Sequence, residues 1–185
     1  MCIRDRVGEL GLGLCSFAVG VSPEDVKKKI DIYRGAVAKC TTPIGKFVNN
    51  QAATFTMALC APTREEAWTA ARESFEWYPK VGARQIAQVA EWMAERNQEL
   101  GNYGYAADMK AHSDDGSLDL LSLEYLADSG ACVLGTPEEC LDACKRYEAA
   151  GVDLLLCLVN PYKIDHETVM QTIDLMGKHV IPSFA

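Results

Sequence analysis

Three stretches of this chain are almost continuously apolar: residues 12–17, 53–61 and 152–159, the second interrupted by little but Thr54 and Thr56. Each is bounded by turn-forming residues, the pattern of a parallel strand buried on both faces. Between them the apolar spacing changes to three and four. Val26, Ile30, Tyr33 and Val37 share one helical face behind Ser22, a helix N-cap, and Pro23, suited to the first helical position. Thr63 and Glu66 form a capping-box pair ahead of Ala67, Ala71, Phe75 and Tyr78, and Pro79 follows as a helix stop. A second helix is predicted over 83–100 from Ile86, Val89, Ala90 and Met93. Thr136, Pro137 and Glu139 repeat the capping signature before Leu141, Cys144, Tyr147 and Glu148, and Gly151 ends that helix. Asp165 caps a last helix whose apolar face is Val169, Ile173 and Met176.

The remaining stretches carry weaker patterns. Residues 7–11 read as the end of a helix entering the first strand, and 41–46 as a turn with Pro43 and Gly45. Residues 101–116, rich in Gly, Asn, Asp and Ser, read as a loop, 117–129 as a helix, and Val133 and Leu134 as a short extended connector. Strands that each precede a helix predict an α/β fold with a parallel sheet, its three core strands adjacent and in chain order. The crossover from 61 to 151 is far longer than a βαβ unit needs and must carry extra helices.

Composition narrows the function classes. Of 185 residues 49% are hydrophobic and 24% charged, as in a globular domain, and no apolar run reaches the roughly 20 residues of a membrane span. The net charge of −8 argues against a nucleic-acid partner, because phosphate binding needs clustered Lys and Arg. Lys27-Lys28-Lys29 is the one cluster, on a helix face better read as solvated. Eight cysteines contain no CxxC pair and no metal-ligand spacing to His112, His166 or His179. Cys15, Cys60 and Cys157 fall in strands, and Cys140 and Cys144 one turn apart on a helix, so buried reduced thiols in a cytoplasmic protein, with no metal, are expected. Gly11-Leu12-Gly13 closes a helix and opens a strand, the reverse of a phosphate cradle.

Several local sequences, taken in order, resemble the bacterial-luciferase-like flavin-dependent oxidoreductases. They are the turn Val7-Gly8-Glu9-Leu10-Gly11-Leu12-Gly13-Leu14-Cys15-Ser16-Phe17, the helix Ile30-Asp31-Ile32-Tyr33-Arg34-Gly35-Ala36 and Val48-Asn49-Asn50 before the second strand. Leu134-Gly135-Thr136-Pro137-Glu138, Ala150-Gly151-Val152-Asp153 and the closing Gly177-Lys178-His179-Val180-Ile181-Pro182-Ser183-Phe184 complete the set. The resemblance implies a (β/α)₈ TIM barrel of which residues 7–185 supply strands six to eight, with a helical insertion between the last two. Met1 to Arg6 resembles the translation of a sequencing-library transposon end and is expected to be an artefactual scar that packs against nothing.

In such a barrel the site lies at the C-terminal ends of the strands. Those ends are Ser16 and Phe17, Cys60 and Pro62, and 159–162. Ser16 and Asn160 can hydrogen-bond a flavin edge or substrate, and Phe17 and Tyr162 can form an aromatic wall. The family's flavin-phosphate turn follows its fifth strand, and its catalytic residues come largely from its first four, so both are expected upstream of Val7 and no catalytic residue is assigned. The resemblance implies a monooxygenase that uses reduced FMN and O₂ to oxidise a small organic substrate, with a flavin reductase able to supply the reduced flavin and a dimeric parent. Alternatives are a deazaflavin-dependent oxidoreductase of the same superfamily, a non-catalytic barrel serving as a partner subunit, and a complete small α/β binding module.

Overall fold

In a computed structural model that describes residues 3–96, 99 and 104–184, the capping signals act as read. Ser22 accepts the Asp25 N–H at the start of α2 (Pro23–Val37), and Thr63 and Thr136 complete capping boxes with Glu66 and Glu139 at the starts of α3 (Arg64–Glu95) and α6 (Pro137–Ala149). Asp165 accepts the Thr168 N–H at the start of α7 (His166–Leu175). Four strands, β1 (Leu14–Phe17), β2 (Ala52–Cys60), β3 (Val133–Gly135) and β4 (Leu154–Leu158), make a wholly parallel sheet. β2 is its centre. β1 pairs with it from Leu14↔Ala52 to Phe17↔Phe55, and β4 from Ala53↔Leu154 to Met57↔Leu158, so the three expected strands are adjacent in chain order. The short β3 pairs only with the C-terminal end of β2, at Ala58–Cys60.

Two links pin the sheet. At its N-terminal end the Asp153 carboxylate accepts the Ala52 N–H at 2.7 Å and meets Arg34 of α2 at 2.5 Å. At the other end, beyond the last β4 pair, Thr172 of α7 substitutes for a neighbouring strand. Its hydroxyl accepts the Cys60 N–H at 3.2 Å and donates to the Cys60 carbonyl at 3.1 Å. Thr172→Val therefore leaves a buried N–H unpaired and is expected to cost about 1–3 kcal/mol in urea denaturation, while Thr172→Ser retains most of the stability. An equal loss in both variants would mean the hydroxyl contributes nothing.

One sheet face, through Leu14, Ala52, Ala58 and Cys60, packs on Val26, Ile30 and Tyr33 of α2 and Cys140, Cys144 and Tyr147 of α6. On the other face the C-terminal half, Met57, Leu59 and Ala61, is covered by Ala67, Ala71 and Phe75 of α3 and by Leu123 and Leu126 of α5 (Leu123–Asp128). The N-terminal half of that face is open. Rows Cys15–Ala53–Leu154 and Phe17–Phe55–Leu156 follow from the register, and Phe17, Leu154 and Leu156 are 51%, 55% and 43% exposed. The expectation that 152–159 is buried on both faces, and that Cys15 is buried, therefore fails. No element among the described residues lies over this half of the sheet.

Other differences have local causes. Pro79 does not end α3; the buried stripe continues through Ala83, Ala87 and Ala90, and this packing offsets the lost N–H. Within the stretch read as a loop, Gly104–Asp114 forms helix α4, with Ala106 fully buried and Lys110 bridging to Glu91 of α3 at 3.4 Å. Residues 97, 98 and 100–103, part of the predicted helix and loop, lie outside the described set. The helix read over 117–129 divides into a 3-10 turn, Ser117–Leu120, and α5, which Ser122 caps. α6 turns Cys140 inward rather than Glu148, and α7 buries Thr172 while Ile173 is half exposed. Helix α1 (Ile3–Glu9) takes in Ile3 to Arg6, the described part of the segment read as a scar. Ile3 is exposed, but α1 lies so close to α2 at Gly8 that a Cβ there would fall 2.6 Å from the Ala36 Cβ. No described helix is long and apolar enough to cross a membrane, and no described cluster of His, Cys, Asp or Glu could hold a metal ion.

Candidate functional site

β1 ends at Phe17, opposite Phe55 in the open half of the sheet face, whereas β4 ends at Leu158 and its loop turns toward α3, which covers the other half. Phe17 stands on that face and meets Phe55 of β2 edge-on, with ring centroids 4.7 Å apart at 86°. That arrangement places a ring edge against a ring face and is worth about 0.5–1.5 kcal/mol beyond the area it buries. Ser16, one residue earlier, lies on the opposite face with Leu14 and is 8% exposed. Its carbonyl accepts the hydroxyl of buried Thr54 at 2.8 Å. Strand alternation thus separates two residues that the sequence grouped together.

The loop after β4 is held from within and from α3. Asn160 uses both ends of its amide: Nδ2 donates to the Ile164 carbonyl and Oδ1 accepts the Ile164 N–H, each at 3.2 Å. Asn160 therefore shapes the loop. The Tyr162 N–H donates to Oγ of Ser74, a buried α3 residue, at 3.0 Å. The Tyr162 ring stacks on Trp77 of α3 at 4.0 Å and 10°. The Lys163 ammonium lies 4.8 Å from the Tyr162 ring centre. A hydrogen bond to Tyr162, with Glu73 nearby, holds Lys163 above its ordinary pKa. Lys163 itself takes a left-handed backbone, φ 48°, the one described non-glycine residue to do so. Tyr162 is thus held against helix α3 by both its backbone and its ring.

Sequence reasoning missed Phe55, Ser74 and Trp77. Ser74 had a readable signal, a hydroxyl residue at a buried position of the Ala67-Ala71-Phe75 stripe. Phe55 and Trp77 had none, because their partners are set by strand register and by docking of the insertion. Two clefts lie apart from these residues. One, of about 540 Å³ between α3 and α7, is lined by Thr63, Glu66, Thr69, Thr168 and Gln171, and no cation borders it. The other, of about 250 Å³, is lined by Arg64, Trp68, Leu134, Glu139 and Arg146. Arg64 and Arg146 are already paired, with Glu139 at 2.7 Å and Glu24 at 3.1 Å.

The open face carries no carboxylate, imidazole or amine among Cys15, Phe17, Ala53, Phe55, Leu154 and Leu156. Such a surface can hold a planar apolar ring, but it cannot by itself move a proton or neutralise a phosphate.

The sequence matches the profile of the family described as luciferase-like monooxygenase over residues 3–154. No curated protein matches it. Similar solved structures include the oxygenating constituent of 3,6-diketocamphane monooxygenase from Pseudomonas putida, a type II Baeyer–Villiger monooxygenase in complex with FMN. It is 18% identical, with 98% of this chain and 45% of that one covered and a TM-score of 0.63. Monooxygenase RslO1 from Streptomyces bottropensis gives 17%, 98%, 45% and 0.56. The coenzyme F420 dependent tetrahydromethanopterin reductase from Methanopyrus kandleri gives 16%, 98%, 48% and 0.54. At these identities the likeness is one of fold. The chain spans about half the length of the structures it matches.

Proposed function

The chain belongs to the luciferase-like monooxygenase family, and on that premise we propose that it is the C-terminal portion of a flavin-dependent oxidoreductase, with β1, β2 and β4 as strands six to eight of a (β/α)₈ barrel. The observation that carries this reading is the open apolar half-face around Phe17, Phe55 and Leu156. In a closed barrel that face is interior; β1 ends on it at Phe17, and barrel enzymes work at the C-terminal ends of their strands, although the corresponding end of β2 lies under α3. The solved structures of this fold are about twice as long, which leaves room for the strands that would cover it.

The residues fit one side of a flavin. Phe17 and Phe55 offer an apolar edge to a tricyclic ring, and Tyr162, backed by Trp77, can close one flank. Asn160 and Ser74 act through the loop, holding Tyr162 in place without touching a ligand. The fit does not extend to the phosphate, for which this face has no donor. Bound here, reduced FMN would supply the electrons that activate O₂ toward a small organic substrate, and a deazaflavin would instead move hydride. This chain's own part is to orient the ring and exclude water from one side of it.

FMN and a deazaflavin coenzyme, each titrated against this chain, are expected to bind more weakly than micromolar. The same residues joined to an upstream half that completes the barrel are expected to bind one of the two tightly, and the one chosen separates oxygenase from hydride chemistry. Sub-micromolar binding by this chain alone would show that the site is not divided in this way. Failure of the completed protein to bind either would favour a non-catalytic barrel acting as a partner subunit.

A further inference from the structure

Four cysteines share the core between the sheet and α6: Cys60, Cys140, Cys144 and Cys157. Two of them meet at one point. Cys60 is the last residue of β2 and the Cα partner of Gly135 on β3. The Cys140 sulfur lies 3.7 Å from both the Leu59 and the Gly135 carbonyl oxygens, directly over the Cys60 end of the strand pair. Both side chains are fully buried in the same cluster. None of the packing described above needs a sulfur at either position, and the proposed flavin surface uses neither.

We propose that Cys60 and Cys140 are a thiol pair that hydrogen peroxide oxidises to a disulfide, stapling the end of β2 to the first turns of α6. The Cys60 sulfur attacks one peroxide oxygen and the O–O bond breaks. The other oxygen leaves as hydroxide, takes the thiol proton and becomes water, and Cys60 becomes a sulfenic acid. The Cys140 sulfur then attacks the Cys60 sulfur, the S–O bond breaks, and the departing hydroxide takes the Cys140 proton as a second water. Two thiols lose two electrons, and one peroxide becomes two waters.

The order of attack follows from the surroundings. A hydrogen bond from Cys140 draws the Cys60 thiol below its ordinary pKa, and the same contact with burial pushes Cys140 up. Burial alone pushes Cys132 to about 12, and Cys144 reaches about 12 mainly by burial, so both keep their protons. Glu139, next to Cys140 in sequence, lines the cleft of about 250 Å³ beside α6. Peroxide is small enough to enter where a reagent the size of a dye is not.

The test is peptide mapping of the full chain by mass spectrometry under non-reducing conditions, after stepwise exposure to peroxide and alkylation of the remaining thiols in denaturant. The expected result is one linked peptide joining Cys60 to Cys140, removed by reductant, with two thiols lost per chain. In Cys140→Ser, a dimedone adduct is expected on Cys60 when the peroxide-treated protein is labelled in denaturant. In Cys60→Ser, Cys140 is expected to stay unlabelled. A link between Cys140 and Cys144, a mixture of links, or oxidation confined to Cys15 and Cys40 would overturn the proposal. The wild-type map decides the matter even where a serine variant fails to fold.

Discussion

By size-exclusion chromatography with light scattering, the chain is expected to run as a self-associated, heterogeneous species, and Phe17→Ser, Leu154→Ser and Leu156→Ser combined are expected to return it toward monomer. All three side chains are about half exposed on one uncovered surface, beside the partly exposed Phe55. Full burial of such a side chain is worth about 1.5–3 kcal/mol, so covering the exposed half of three of them gives roughly 2–4 kcal/mol of driving force for association. That is a sizeable fraction of the whole stability of a domain, about 5–15 kcal/mol. β1 and β4 add a second drive, because each pairs only with β2 and presents an unpaired edge. Because the substituted side chains are already half in water, their loss costs the folded state little. A monodisperse wild-type monomer with one cooperative thermal transition would show the chain to be a self-sufficient domain, and the divided-barrel reading would fall.

Phe75→Ala is expected to lower stability by about 3–5 kcal/mol, measured by chemical denaturation followed by circular dichroism. Phe75 is fully buried and packs in the cluster that includes Met57 and Leu59 of the sheet and Leu123 and Leu126 of α5. It is the largest fully buried side chain by which α3 seats on the C-terminal half of the face, beside the partly buried Trp68 and Tyr78. The loss should reach the loop after β4, since Ser74 and Trp77 on the same helix hold Tyr162. Trp77→Ala, at a residue 39% exposed, is expected to cost clearly less while releasing the Tyr162 ring. A change of under about 1 kcal/mol for Phe75→Ala would mean that α3 does not seat on the sheet as described.

What this sequence determined alone is what its residues settle within a few positions of one another. Ser22, Thr63, Thr136 and Asp165 cap their helices because each side-chain oxygen reaches a backbone N–H three residues on. The apolar runs around β1, β2 and β4 are strands because β-branched, aromatic and aliphatic residues in short unbroken series fit little else, and parallel order follows from the helices between them. The tertiary structure decided the rest, wherever the energy of a residue depends on what another element places against it. Pro79 lies inside a helix because Ala83 and Ala87 have somewhere to pack, and Gly104–Asp114 is helical because α3 is there to receive Ala106. Ser16 and Phe17 look equivalent at a strand end, yet the pleat sends one into the helix layer and the other to the open face. Tyr162 acquired its partner from a helix that begins 98 residues earlier, at Arg64. Leu154 and Leu156 carry the same apolar character as Leu155. Whether each meets a core or water depends on which face of the sheet another element covers, and no local pattern encodes that.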